Sequence, residues 1–288
     1  TETDMKDLAA KLLSAKEFAL DTETASWDVN DKSVDPMKAE LVGLSFAVKE
    51  NEGYYVPIPA ERDKALAILN IFAPAYKNNE ILKIGHNIKY DMIVLSHYGI
   101  EVGGSLFDTM IADYVLFPDR PHKMDSIAES YLKYRTIHYE DVVGTGRQQK
   151  TMRDIPPANV VNYASEDADV TLKLKHILEK ELEKRRLTEL FEDIEMPLVR
   201  VLMRMEMYGA RIDTTALKET SALFTEKMLE IEREIHDIAG TELNISSPKQ
   251  IGELLFDKLK LVDKAKKTKK GQYVTDEATL QADRKSVV

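Results

Sequence analysis

The sequence predicts an α/β fold, a sheet flanked by helices, followed by an all-helical segment. Three observations carry this. Short, dense apolar runs of strand length stand at 18–20, 41–48, 53–58 and 81–84. Segments of helical spacing separate or follow them at 4–15, 61–77 and from about 87. Beyond about residue 186 the apolar pattern is helical throughout.

The elements follow in order. Residues 4–15 read as a helix with Leu8, Leu12 and Leu13 on one side. The run Phe18-Ala19-Leu20 reads as a buried strand that breaks into Asp21-Thr22-Glu23. A period of two sends Asp21 and Glu23 to one side of that strand, where two like charges repel unless water or a cation relieves them. Residues 26–38 are polar and read as a loop. The runs 41–48 and 53–58 are joined by the turn-like Asn51-Glu52-Gly53, so the chain is expected to start as a three-stranded antiparallel meander. Residues 61–77 place Leu66, Leu69, Ile71 and Phe72 on a helical face suited to that sheet. A strand ending at Ile84 passes Gly85 into a helix from about Asn87, held by Ile88, Met92 and Leu95. Asp91 then lies in the first turn of that helix, able to face a cleft. Asn87 is a candidate helix cap, as is Asp108 before Met110 and Ile111. Residues 124–134 read as a helix, and 136–152, polar with Gly144 and Gly146, as a mobile excursion ended by Pro156-Pro157. Helix resumes from about 158. There Tyr163 and Asp167, four apart, share a face, while Glu166 and Asp169 point elsewhere.

Later, Pro197 marks a helix restart, with Leu198, Val201, Leu202 and Met205 on one face up to Tyr208-Gly209. A long helix runs from Asp213 to about Ala239, stopped by Gly240, and its leucine and isoleucine stripe is expected to be buried. Ser247-Pro248 suits a cap and first turn of a helix over 248–259.

Composition narrows the function. The 288 residues carry a net charge of −10 and no cysteine. Disulfides and thiolate metal sites are thereby excluded, and a cytoplasmic setting is compatible. No run of about 18 apolar residues is present, which argues against a membrane span. The acidic balance disfavours non-specific adhesion to nucleic acid, but not an enzyme that meets it through bound cations. Asp21, Glu23, Asp91 and Asp167 stand on three separated segments. Without Cys or His partners at ligand spacing, such a set suits Mg²⁺ or Mn²⁺ rather than structural zinc. Two such ions can activate a water and stabilise a leaving oxygen.

Asp21-Thr22-Glu23, Asn87-x-Lys89-Tyr90-Asp91 and Tyr163-x-x-x-Asp167 resemble the three motifs of the DEDD exonuclease superfamily, with Tyr163 as the tyrosine of its DEDDy branch. The stretches 18–24, 84–95 and 163–174 resemble the 3'-5' proofreading domain of the bacterial DNA polymerase I family (family A). The resemblance implies a ribonuclease-H-like fold, a mixed sheet flanked by helices, in residues 1–185, which removes nucleoside 5'-monophosphates from single-stranded DNA 3' ends. It implies that Asp21, Glu23 and Asp167 hold the catalytic ion, that Asp91 helps hold a second, and that Tyr163 orients the water. The ions would be Mg²⁺ or Mn²⁺, with Zn²⁺ possible in one site. Thr22, Asn87 and Lys89 are expected near substrate. His86 stands where relatives often carry glutamine and is expected to make a pH-sensitive contact to the terminal nucleotide. Trp27 falls where an apolar wedge against the terminal bases is expected.

Residues 186–288 resemble the start of the polymerase domain and the base of its thumb, through 194–198, 208–213 and 243–251. Between 258 and 270, seven lysines meet one aspartate. The count alone suits a solvated loop; the resemblance implies that Lys266, Lys267, Lys269 and Lys270 touch duplex phosphates. The chain stops before any palm or fingers sequence, so it reads as a fragment that lacks those partners and does not synthesise DNA, from a protein of the cytoplasm and nucleoid. Two other readings stay open, a DEDDy exonuclease for RNA 3' ends and an inactive DNA-binding or scaffold fragment.

Overall fold

The computed structural model describes residues 1–26, 35–262 and 265–284. The chain forms two compact units, Thr1–Gly209 and Ala210–Val288.

The first unit begins with helix α1 (Glu2–Ser14) and strand β1 (Glu17–Ser26). Strands β2 (Ala39–Lys49) and β3 (Glu52–Pro57) follow, then α2 (Arg62–Lys77), β4 (Leu82–Gly85) and α3 (Ile88–Ser96). A short strand β5 (Leu106–Asp108) runs directly into α4 (Thr109–Leu116), and α5 (Met124–Leu132) and α6 (Tyr139–Val143) come next. The long α7 (Pro157–Arg185), a π-helical turn at Leu190–Glu195 and α8 (Met196–Tyr208) complete the unit. The sheet order is β3-β2-β1-β4-β5. The expected meander is present, since β1 pairs antiparallel with β2 and β2 with β3, while β4 and β5 join in parallel and make the sheet mixed. At three residues, β5 is too short to leave a periodic signal in the sequence.

Alternation along β1 assigns its two faces. Phe18 meets Phe46 edge-on at 6.1 Å, and Phe46 stacks on Phe72 of α2 at 5.2 Å. Tyr76 of α2 closes the same aromatic cluster. On the other face Glu17 meets Lys175 and His176 of α7, at 2.8 and 2.9 Å. The same period of two turns Asp21 and Glu23 toward α7. Helix α7 crosses the sheet closely enough that a Cβ at Gly53 would lie 2.3 Å from the Ser165 carbonyl oxygen, so no larger residue fits there.

One expectation changes here. Residues 136–152 do not form the expected mobile excursion. Val143 and Met152 are fully enclosed, and with Ala25, Val42, Val160 and Ala164 they make a second core beside β1, β2 and α7. Arg153 staples this segment to the sheet, donating to the Leu41 carbonyl at 2.7 Å and to Glu40 at 2.6 Å. The compact first unit itself extends through Gly209. Phe191 packs on Phe107 at 4.8 Å, and Arg200 of α8 donates to the Val102 and Gly104 carbonyls, each at 2.6 Å. Buried apolar and hydrogen-bonded contacts of this kind tie the π turn and α8 to the first unit.

The second unit holds α9 (Thr214–Ala239), α10 (Pro248–Gly252) continued by a π-helical turn at Glu253–Lys258, and α11 (Glu277–Arg284). Asp213 caps α9 by accepting from the Thr215 and Ala216 N–H groups, and Gly240 ends it at φ 62°. Ser247 accepts from the Gln250 N–H, as its place before Pro248 suggests. The α9 stripe is not buried as expected: Leu217, Phe224, Met228 and Ile231 are all exposed. Helical periodicity marks a face that can be covered, not that something covers it. The basic stretch turns back on itself, with the Thr268 N–H donating to the Gln272 carbonyl at 2.7 Å and Gly271 at φ 80°. Lys266, Lys267, Lys269 and Lys270 are exposed on this turn, and residues 263 and 264 of the stretch lie outside the described residues.

Candidate active site

The cleft forms where β1 outruns its parallel neighbour. Strand β4 pairs with β1 only as far as Ala19, opposite Ile84. Past that point the edge of β1 would be left with unpaired backbone groups. Asp91, in the first turn of α3, fills the gap. Its Oδ1 accepts both the Thr22 backbone N–H, at 2.9 Å, and the Thr22 hydroxyl, at 2.6 Å. On the opposite edge the β1–β2 register shifts between Glu23 and Thr24, a bulge that follows directly on the second acid.

Helix α3 is aimed by a carboxylate from another strand. Asn87 adopts a left-handed conformation, φ 62°, and its side chain does not cap the helix. Instead Asp108, 1% exposed at the end of β5, accepts from the Asn87 and Ile88 N–H groups at 3.2 and 2.8 Å. The same carboxylate accepts from Met110 and Ile111 at 2.9 and 3.1 Å. One buried acid therefore caps α3 and α4 together, and its expected capping role is larger than the sequence suggested.

Carboxylate oxygens of Asp21, Glu23 and Asp167 all lie within 4.8 Å of one another. Asp91 lines the same cleft, of about 540 Å³, without belonging to that trio. Glu23 is 5% exposed, and its Oε1 has no hydrogen-bond partner among the described residues. Burial pushes Asp21 up to about 6, which the Thr22 N–H partly counters. Glu23 is held well above the usual carboxylate range by burial and then by Asp21, Asp167 and Asp91. Burial and the Asp21 charge do the same to Asp91 and Asp167, opposed by Thr22 and Tyr163 respectively. Burial and Asp167 push the Tyr163 phenol far up, so it keeps its proton. These are the marks of a site made for positive charge. It holds hard oxygen donors only, one orphaned buried oxygen, and no described cation paired to any of the trio. The residues fit divalent cations of the Mg²⁺ class.

The expected substrate residues divide. Thr22, His86 and Asn87 line the cleft, but the Thr22 hydroxyl is taken by Asp91. His86 lies with Nδ1 2.9 Å from the Thr109 hydroxyl, and burial lowers it to about 4. Burial thus favours its neutral imidazole, which speaks against the expected pH-sensitive contact. Lys89 does not line the cleft; its ammonium pairs with Glu206 of α8. Its side chain follows the helix face opposite the one that Asp91 occupies. Trp27 lies outside the described residues. Sequence reasoning missed Lys123, His122 and Tyr139, and assigned Tyr90 no role beyond its place in the second motif. Tyr90 in fact hydrogen-bonds the Thr24 hydroxyl at 2.6 Å on the cleft wall. None of the first three stands in a pattern tied to the motifs, and only packing brings them there.

Comparison with known proteins agrees with this geometry. The family described as 3'-5' exonuclease matches residues 1–183, and the family described as DNA polymerase family A matches residues 214–286. The chain is 42% identical over 281 residues to DNA polymerase I of Pseudomonas aeruginosa, covering 94% of this chain and 30% of that one. With DNA polymerase I of Borreliella burgdorferi it shares 36% over 272 residues, 93% of this chain and 29% of the other. The chain thus spans under a third of the length of these relatives. Among solved structures it resembles the POL domain of Pol1 from M. smegmatis, in complex with DNA primer-template and dNTP. There the TM-score is 0.71 at 23% identity, over 98% of this chain and 44% of that one. It also shares the fold of Brucella melitensis NrnC with bound Mg²⁺, at a TM-score of 0.54 and 21% identity, over 70% of this chain and 91% of that one. No helix among the described residues is long and apolar enough to cross a membrane. With three ordered acidic motifs gathered in one cleft and a family match over residues 1–183, the chain belongs to the 3'-5' exonuclease family.

Proposed function

We propose that the first unit hydrolyses single-stranded DNA from its 3' end, releasing nucleoside 5'-monophosphates, as the proofreading part of a DNA polymerase I. The observation that carries this is the gathering of Asp21, Glu23 and Asp167 within 4.8 Å around a Glu23 oxygen with no partner among the described residues. Asp21, Glu23 and Asp167 would hold one divalent cation, Mg²⁺ or Mn²⁺, and Asp91 would help hold a second. When bound, such cations lower the pKa of an attacking water and stabilise the leaving oxygen.

The chain's own groups do the rest. Thr22 fixes Asp91 with two donors, so that acid keeps its place as substrate enters. Tyr163, which keeps its proton, can donate from Oη or accept at it, and so orient a water beside Asp167. The β1 strand, buried at Phe18, Ala19 and Leu20, supplies a rigid base for the two acids. In the second unit, the exposed lysines of the turn at 266–270 suit contact with duplex phosphates.

The test uses matched DNA and RNA single strands, 5'-labelled, with free or blocked 3' ends, in Mn²⁺. A ladder shortening from the free 3' end of DNA supports the reading, and preference for RNA overturns it. Replacing Asp21 and Glu23 together by alanine abolishes cleavage while the melting profile stays cooperative.

A further inference from the structure

We propose that Lys123 is a substrate-binding residue that grips a backbone phosphate of the entering strand, and that Asp113, Arg120 and His122 are positioning residues that deliver it to the cleft. The inference rests on the nuclease reading above, and extends it to residues outside the three motifs.

Asp113 is a buried carboxylate that the cleft chemistry does not use: its side chain is fully enclosed on α4. Such a charge is costly unless fully paired. Two side chains from the connection between α4 and α5 pair it. Arg120 donates from Nε to Oδ2 at 3.1 Å and from Nη2 to Oδ1. His122 places Nδ1 2.7 Å from Oδ2. Arg120 is held further by the Tyr131 hydroxyl, at 2.9 Å, and lies over the Phe117 ring at 4.3 Å. Arg185 of α7 covers the same ring at 4.2 Å. The connection is thus strapped down at Phe117, Arg120 and His122 on its way into α5.

The next residue is Lys123. It lines the cleft beside His122, it is exposed, and no described group pairs with its ammonium. Lys89, by contrast, is paired with Glu206 away from the cleft. Among the described residues lining the cleft, Lys123 is the one with a permanent positive charge. A nucleic-acid strand brings at least one phosphate beyond the reacting one. The four acids repel those outer phosphates, and a fixed cation on the same cleft offsets that repulsion. Holding Lys123 on a strapped connection lowers the entropy lost when it makes the contact.

The experiment measures Mn²⁺-dependent digestion of a 5'-labelled DNA single strand over a series of KCl concentrations. Lys123→Ala raises KM about three- to tenfold with kcat within twofold, as for a contact made equally in ground and transition states. It also lowers the slope of log KM against log salt by about 0.7, the value for one phosphate contact on a single strand. Lys123→Arg restores the slope. Asp113→Asn frees the strap with Lys123 still present, and lowers the slope in the same direction; a merely structural role would not move it. Since Lys123 is exposed, its variants fold, and the outcome does not depend on Asp113→Asn surviving. A wild-type slope and KM in Lys123→Ala overturn the proposal, as does a loss confined to kcat. An unmutated protein that does not cut DNA removes the nuclease reading itself, whereas normal cutting with an indifferent Lys123→Ala removes this inference alone.

Discussion

Replacing Glu23 by glutamine makes the metal-free protein more stable and the enzyme inactive. Glu23 is 5% exposed, its Oε1 has no partner among the described residues, and the Asp21 and Asp167 oxygens lie within 4.8 Å. Two unit charges about 5 Å apart repel by about 3 kcal/mol at an effective dielectric of 20. An unsatisfied buried acceptor adds about 1–3 kcal/mol. Proton uptake relieves part of this cost, so the gain in Glu23→Gln at pH 8 without metal is about 2–3 kcal/mol. The isosteric amide removes the charge and can donate to the flanking carboxylates, so no cavity offsets the gain. For a unit of this size each kcal/mol moves Tm by about 2–4 °C, so the first-unit transition rises by about 4–12 °C in EDTA. Differential scanning calorimetry in EDTA and in Mn²⁺, beside a cleavage assay, reads all the consequences. The unmutated protein gains stability from Mn²⁺; Glu23→Gln gains little and does not cut. A variant that melts below the parent in EDTA at pH 8 would falsify the electrostatic account, and retained cleavage would remove Glu23 from the cation site.

Two further outcomes follow from the same charges and caps. Asp21, raised to about 6, binds a proton in the folded state that the unfolded chain has lost by about pH 4. Its contribution to metal-free stability is therefore greatest at low pH and falls as pH rises through 6. Since Glu23, Asp91 and Asp167 are raised too, the rise in Tm on adding Mn²⁺ should grow as pH rises through 6 and above; a rise independent of pH contradicts the site. Asp108→Ala leaves four backbone N–H groups on two helices without their acceptor. At about 1 kcal/mol or more per cap, stability falls by about 2–4 kcal/mol. Activity falls with it, because α3 carries Asp91; a urea midpoint close to the parent's would refute the double-cap reading.

Much of this molecule was legible in its sequence. The alternation of Phe18 and Leu20 with Asp21 and Glu23 is covalent geometry, so it places the two acids on one face of β1 whatever surrounds them. The four-residue step from Tyr163 to Asp167 is likewise local to one helix. Caps at Asp213 and Ser247, and the stop at Gly240, are short-range backbone chemistry and lie where the residues suggest. The order of three acidic motifs was enough to name the family, and the apolar runs were enough to place the antiparallel meander of β1 to β3.

What the tertiary structure decided is the pairing of residues far apart in the chain. Lys89 and Glu206, Asp108 and the first turn of α3, and the second core beneath 136–156 all depend on which surfaces packing brings together. The same holds for His86, whose neutral imidazole is favoured by its burial. Lys123 reaches the cleft through the straps on Asp113, which no periodicity announces. Local rules set where a side chain leaves its own strand or helix, whereas desolvation and charge depend on neighbours that only the assembled sheet and helices supply. The sequence by itself therefore determined which acids could meet and in what order. The fold decided that three of them do so around an oxygen with no partner among the described residues, with the fourth tied to Thr22 where β4 stops short of β1.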